Sequence, residues 1–141
     1  MVNPDHVLST IWAEVNSLPE FAGFKSISKG AKRPGRRNNP AATIHLLTAP
    51  IDGETDAMRC TVTVNCYLDD LKGGEMDSAG LGRCASALLR HFHKNYSITH
   101  PELDFKSMLV LEPLIGLTGE FEKEHFASVK IRMIVKSKGG N

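Results

Sequence analysis

The densest group of charged side chains in this sequence is a short basic segment. Four of the six residues from Lys32 to Arg37 are cations, and Gly30, Pro34 and Gly35 interrupt the stretch too often for a helix or strand. The segment lacks the Gly-Lys-Ser/Thr ending and the preceding strand of a P-loop. No aromatic residue lies between the cations, so it also lacks the stacking groups typical of proteins that bind RNA or single strands. The remaining interpretations are contact with a phosphate backbone and contact with an acidic protein surface.

The sequence also contains two acidic segments, each with three carboxylates, at residues 52–56 and 120–124. In a ring of identical subunits, the basic loop of one subunit can meet an acidic loop of the next, and such head-to-tail contact is what closes a ring. The candidate residues for a subunit or partner interface are Lys32, Arg33, Arg36, Arg37, Asp52, Glu54, Asp56, Glu120, Glu122 and Glu124.

No arrangement of residues indicates catalysis. Asp69 and Asp70, like the carboxylates at 120–124, lie at the ends of predicted strands beside glycines, where solvated charge is the ordinary explanation. His91 and His93 are two residues apart on a predicted helix, so they point to different sides and cannot share a metal ion. We therefore expect that the chain is not an enzyme and has no catalytic residues, no metal and no cofactor.

The three cysteines match no zinc or redox spacing, and their odd number argues against a disulfide framework. Cys60 and Cys66 lie in one predicted strand, which separates them by roughly 20 Å, beyond the reach of a disulfide bond. We expect these two residues and Cys84 to be buried, reduced, small apolar side chains.

Length and composition favour one soluble domain spanning residues 1–141. Seventeen Lys and Arg residues nearly balance sixteen Asp and Glu residues. The net charge of the whole molecule is therefore too small to attract nucleic acid or a membrane surface strongly. No apolar run approaches the roughly 20 residues that cross a bilayer, and the first residues lack the pattern of a signal peptide. We expect an intracellular product with an irregular basic loop at about 28–40 and a flexible tail at about 137–141.

Two segments have the apolar period of amphipathic helices. The clearer one is residues 77–94, where an apolar stripe is preceded by Asp77 as a cap and followed by basic residues that complement the helix dipole. The other is residues 4–17, with Pro4 in its first turn.

Four segments are strand candidates: residues 41–48, 58–68, 107–117 and 129–135. The second and fourth alternate apolar and polar side chains, the pattern of half-buried strands, and Pro113 confines the third to an edge or a bulge. A short extended piece at 24–27 is a further possibility. Because a long helix separates the second and third strands, a right-handed crossover can pair them in parallel.

The predicted fold class is therefore α+β, in the order helix-strand-strand-helix-strand-strand. One mixed, mainly antiparallel four-stranded sheet has both helices packed on one face. We expect the following side chains to share its core: Val62, Val64, Leu88, Phe92, Ile131 and Met133.

This arrangement resembles the tail terminator or tail completion proteins of long-tailed bacteriophages. The resemblance covers roughly residues 5–137 and lies in a leading helix, an irregular basic loop, the strand RCTVTVNCYLDD, the helix DSAGLGRCASALLRHFHK and a closing hairpin. It implies a structural virion protein of the neck, made in the host bacterial cytoplasm. Such a protein forms a hexameric ring that caps the tail tube and joins it to the head connector, so its partners are the tail tube protein and the head–tail connector protein.

Two other functions stay open from the sequence. Another component of the phage neck, such as a head-closure or minor tail protein, would also assemble as a ring. A small nucleic-acid-binding module would instead use the basic segment at 25–37. In a ring, three contacts stay open for the basic loop at 29–37: non-specific contact with DNA in the lumen, a neighbouring subunit, or a connector protein.

Overall fold

The computed structural model describes residues 1–33, 38–51, 53 and 56–138. Within these residues the fold is α+β, with two α-helices, a short 3-10 helix at Pro19–Phe21 and seven strands. The helices are α1 (Pro4–Asn16) and α2 (Ser78–Phe92). The strands are β1 (Ser26–Lys29), β2 (Ala41–Pro50), β3 (Ala57–Asp69), β4 (Thr99–His100), β5 (Leu103–Val110), β6 (Leu114–Thr118) and β7 (Glu124–Ser137).

The prediction of a four-stranded sheet is wrong. The described strands form one large, curled, seven-stranded sheet in the order β1-β2-β3-β7-β5-β4, and β6 also pairs with β7. The predicted parallel pairing of the second and third strands is wrong too, because β7 lies between β3 and β5 and is antiparallel to both. The parallel pair in the described sheet is β1 with β2.

The third predicted strand is really two strands that follow one edge of β7. Strand β5 begins at Leu103, and β6 continues along the same edge of β7 after a break at residues 111–113. Pro113 has no N–H to donate, which explains an interruption here. The Leu111 N–H still donates to the Lys130 carbonyl at 2.9 Å, so the two strands stay on one line.

Both helices contribute to a single apolar core on one side of the sheet. Val7, Ile11 and Val15 of α1 join the alternating residues of β3 and β7 and the apolar stripe of α2, and the six predicted core residues all belong to this cluster. Asp77 caps α2 as expected, because its carboxylate accepts from the Gly80 N–H at 2.9 Å.

The C-terminal end of the described chain is also held by hydrogen bonds. The Ser137 N–H donates to the Asp56 carbonyl at 2.8 Å, and the Lys138 N–H donates to the Glu102 carbonyl at 2.9 Å. The rest of the predicted tail, residues 139–141, lies outside the described residues. Across the part of the chain that is described, no helix is both long and apolar enough to cross a membrane.

Replacing Leu88 by Ala should reduce the free energy of unfolding by about 2 to 5 kcal/mol, because the side chain is fully buried between α2 and the sheet and its removal leaves a cavity. Urea unfolding measures this change. The matched control is Leu89→Ala on the same helix, where the side chain is 38% exposed and the loss should stay below about 1 kcal/mol. Equal losses in the two variants would contradict this core.

Candidate functional site

The predicted contact residues include a buried ion pair that joins the basic loop to the start of β7. The Arg33 guanidinium donates to both carboxylate oxygens of Glu124, with Nη2–Oε1 at 2.6 Å and Nη1–Oε2 at 2.9 Å. The two side chains are only 2% and 0% exposed. This two-armed geometry is the strongest form of an Arg–carboxylate contact.

Asn39 completes the hydrogen bonding around the pair. Its Oδ1 accepts from Arg33 Nη1 at 2.8 Å, while its Nδ2 donates to Glu124 Oε2 at 2.7 Å and to Asp69 Oδ1 at 2.9 Å. The backbone N–H of Phe121 donates to the other Glu124 oxygen at 3.2 Å. The carboxylate is therefore surrounded by donors from the loop and from the turn before β7. We call Arg33, Asn39 and Glu124 the polar clamp.

Aromatic rings border the guanidinium. Its central carbon lies 4.0 Å from the centre of the Tyr67 ring and 4.9 Å from that of Phe121. Tyr67 in turn stacks on Phe126 of β7, with ring centres 4.9 Å apart. Cation–π contacts of this kind replace part of the hydration that Arg33 loses on burial.

The local sequence explains why Glu124 points into this cluster. Glu124 is the first residue of β7 and pairs with Asp69, the last residue of β3, so the clamp lies at the end of the longest ladder in the sheet. Gly119, in the turn before β7, leaves room for the carboxylate, because a Cβ added there would overlap the Glu124 side chain.

The hydrogen bonds decide the charge state of the acid. Burial by itself would raise the pKa of Glu124, but the hydrogen bonds from Arg33, Asn39 and the Phe121 backbone outweigh burial and leave the pKa below its ordinary value. The carboxylate is therefore ionised at neutral pH. Among the described residues Arg33 Nε has no hydrogen-bond partner, so the guanidinium is satisfied mainly through its two terminal nitrogens.

A second acid–base pair lies beside the clamp. His125 Nδ1 is 2.7 Å from an oxygen of Asp70, whose side chain is only 8% exposed. The interpretation of Asp70 and Glu124 as solvated charge is thus wrong, because tertiary contacts bury both. Across the described residues, no group of three or more His, Cys, Asp or Glu side chains is arranged to hold a metal ion.

The other predicted contact residues have different environments. Lys32, Glu120 and Glu122 are exposed. The Asp56 side chain is 51% exposed and lies 3.9 Å from the amino group of Met1. Four of the predicted residues lie outside the described residues: Arg36, Arg37, Asp52 and Glu54.

Arg33 and Glu124 therefore need a different interpretation from the one that the sequence suggested. The expectation placed both in exposed segments facing another molecule, whereas the structure buries them against each other. Asn39 and Tyr67 were missed altogether. A usable signal was Tyr67 itself. It follows four polar residues on the outward side of its strand, so its hydroxyl and ring needed a partner there.

The cysteine prediction is confirmed, since Cys60, Cys66 and Cys84 are all free and buried. Cys66 and Cys84 interact across β3 and α2, and the hydrogen bond that the Cys66 thiol donates to Cys84, followed by burial, raises the pKa of the Cys66 thiol well above its ordinary value. The same hydrogen bond lowers the pKa of the Cys84 thiol, against the opposing effect of burial. Cys66 is therefore an unreactive packing residue at neutral pH.

A comparison of this chain with models of known protein families finds no match, and a search of curated proteins finds no relative.

Replacing Glu124 by Gln should reduce the free energy of unfolding by about 3 to 5 kcal/mol, because it leaves the Arg33 charge buried without its counterion. The double variant Arg33→Met/Glu124→Gln should recover much of that loss, since the unpaired charge is then gone. Chemical denaturation of the wild type, both single variants and the double variant forms the cycle. Additive losses would show that the two side chains do not stabilise each other.

The same pair predicts a dependence of stability on pH. Because the folded state lowers the pKa of Glu124, the ionised carboxylate stabilises the fold above the ordinary value of about 4.3, and this contribution is lost as the pH falls through the folded-state pKa. The difference in unfolding free energy between wild type and Glu124→Gln should be constant near neutral pH and shrink below about pH 4.3. A difference that grows on acidification would contradict this account.

Proposed function

We propose that this chain is a structural, ring-forming protein of the phage neck, of the tail terminator or tail completion type. The subunits would join head to tail, cap the tail tube and connect it to the head. The resemblance of the chain to that protein class supplies three parts of this proposal: a ring of six subunits, the tail partners and the location in the virion. The observation on the structure that carries the proposal is the open edge of β6.

Strand β6 has an unusual surface for the edge of a sheet. Within the described chain it pairs only with β7, so its other edge has unpaired backbone groups. Leu114 and Ile115 at its start are 55% and 48% exposed. An edge strand with exposed apolar side chains is a template for another chain, and soluble proteins usually protect such edges.

The charges around the two ends of the sheet are opposite in sign. Exposed Glu112, Glu120 and Glu122 flank β6, while exposed Lys25 precedes β1 and exposed Lys29 ends it, at the far end of the strand order. If β6 of one copy docks beside β1 of the next, opposite charges meet. Each exposed pair would contribute only about 0 to 1 kcal/mol, so the apolar edge would supply most of the affinity and the charges the orientation.

The polar clamp supports this arrangement by holding the described residues at the two ends of the basic loop. Arg33 and Asn39 anchor the described parts of the loop on both sides of residues 34–37 to the start of β7. The burial of Arg33 changes the role of the loop in assembly. Lys32 stays exposed and available to a neighbour, whereas Arg33 and Glu124 act within one subunit and are not proposed as interface residues.

Replacing Leu114 and Ile115 together by Lys should convert the multimer to monomers, because it removes the apolar contact and places like charges on the docking edge. Light scattering after size-exclusion chromatography gives the mass, and circular dichroism verifies folding. The matched control is Leu71→Lys/Leu89→Lys, which changes two side chains that are 51% and 38% exposed elsewhere.

The control should keep the mass of the wild type. A wild-type protein that stays monomeric at every soluble concentration, or a β6 variant that assembles normally, would contradict the proposal. Rings that bind purified head connector but not tail tube would favour the alternative of a head-closure component.

A further inference from the structure

The side of the sheet opposite α1 and α2 carries a separate group of cations. Residues of β3 and β7 that alternate with the core residues point to this side. Arg132 lies opposite Thr61 in the register. Lys130 lies opposite Thr63. Arg59 is the diagonal neighbour of Arg132, an arrangement that separates the two Cα atoms by about 7 to 8 Å. We call Arg59, Lys130 and Arg132 the basic face.

The basic face is exposed and forms no ion pair within the described part of the chain. All three side chains are exposed, and none of them forms an ion pair with any carboxylate of the described residues. At the margin, Lys106 of β5 opposite Ile134 and Lys136 of β7 opposite Asp104 add two further exposed cations. Like charges at such short separation repel one another, and the chain as a whole is nearly neutral. The fold therefore concentrates positive charge on one surface without a counterion from its own described residues.

Polar groups beside the cations also lack partners. Thr43 Oγ1, His45 Nδ1 and Asn65 Oδ1 are buried without a hydrogen-bond partner in the described structure. Thr43 lies opposite Asn65, and His45 lies opposite Thr63, so all belong to the same side of the sheet. Burial, and then the charge of Lys130, lower the pKa of His45, so its imidazole is neutral at neutral pH. Because these atoms are buried, they do not contact a ligand directly, and the accessible polar groups here are the cations and the partly exposed Thr61.

Aromatic side chains are not available on this face for stacking with bases. In the described strands its aromatic residues are Tyr67 and Phe126, which stack on each other at the end where Arg33 covers Tyr67. Proteins that bind single strands rely on exposed aromatic platforms, whereas contacts to a duplex backbone come from Arg, Lys, Ser, Thr and Asn. The chemistry therefore favours a duplex backbone over a single strand.

We propose that the basic face binds the phosphate backbone of duplex DNA without sequence specificity. Arg59, Lys130 and Arg132 would each face a phosphate, and the hydroxyl of Thr61 would donate between them. A shallow cavity of about 200 Å³ that includes Arg59, Thr61 and Arg132 among its lining residues offers space for a phosphate group. This surface differs from the basic loop at 25–37, and the proposal does not depend on ring formation.

The test uses fluorescence anisotropy of a short labelled duplex with the full chain, over about 50 to 200 mM salt. The variant Arg59→Gln/Arg132→Gln should weaken binding about tenfold or more at the low-salt end. It should also make the slope of log affinity against log salt shallower by about 2, roughly one unit for each lost phosphate contact. The matched control, Lys72→Gln/Arg83→Gln, removes the same charge from exposed residues outside the basic face and should leave affinity and slope nearly unchanged.

Several results would overturn the proposal. Equal weakening by both double variants would mean attraction by net charge alone, and wild-type binding too weak to detect at low salt would exclude the site. Displacement of the duplex by polyglutamate at equal charge concentration would assign the face to an acidic protein instead. The mass of each sample separates the two proposals. A monomer that binds DNA supports the basic face and argues against the ring. A ring that does not bind DNA supports the ring and argues against the basic face.

Discussion

The antiparallel pairing of β3 with β7 is the constraint on which the rest of the molecule depends. Every residue of β3 has a partner on β7, from Ala57 opposite Lys136 to Asp69 opposite Glu124. Because side chains alternate along both strands, this one register places the apolar residues under the helices and the cations on the opposite side. A shift of the strand register by one residue would move the apolar side chains to the solvent side and the cations into the core. Because burial of the large apolar core excludes such a shift, it also determines where the basic face lies.

The polar clamp at one end of this ladder has a different physical character. Burial of an Arg and a Glu carries a large desolvation penalty, which the two-armed contact, Asn39 and the neighbouring rings offset. A buried ion pair of this kind adds little net stability compared with apolar packing, but loss of one partner is strongly unfavourable. The clamp holds the described residues on either side of 34–37 against the end of the sheet.

The edge of β6 and the basic face suggest how the two proposals fit one assembly. If neighbouring copies join edge to edge, their sheets continue around a ring, and one face of the sheet must turn toward the axis. The other face is occupied by α1 and α2, whose side chains fill the core. A helix-free basic face directed inward would then meet DNA in the lumen, while the helices lie on the outer side.

The sequence by itself determined the parts of this protein that depend on local period. The two helices, the alternation of β3 and β7, the Asp77 cap and the buried cysteines follow from side-chain spacing, because each repeat needs only the neighbouring residues to define it. Only the tertiary structure decided the order of the strands and the pairing of Arg33 with Glu124, which are 91 residues apart. The residues around Arg33 do not indicate that its partner lies at the start of the last strand. Likewise, the residues within a strand do not indicate whether it lies at the edge or in the middle of the sheet. Both depend on contacts that form only after the chain has folded back on itself, so charge clusters that look solvated in the sequence become a buried clamp in the fold.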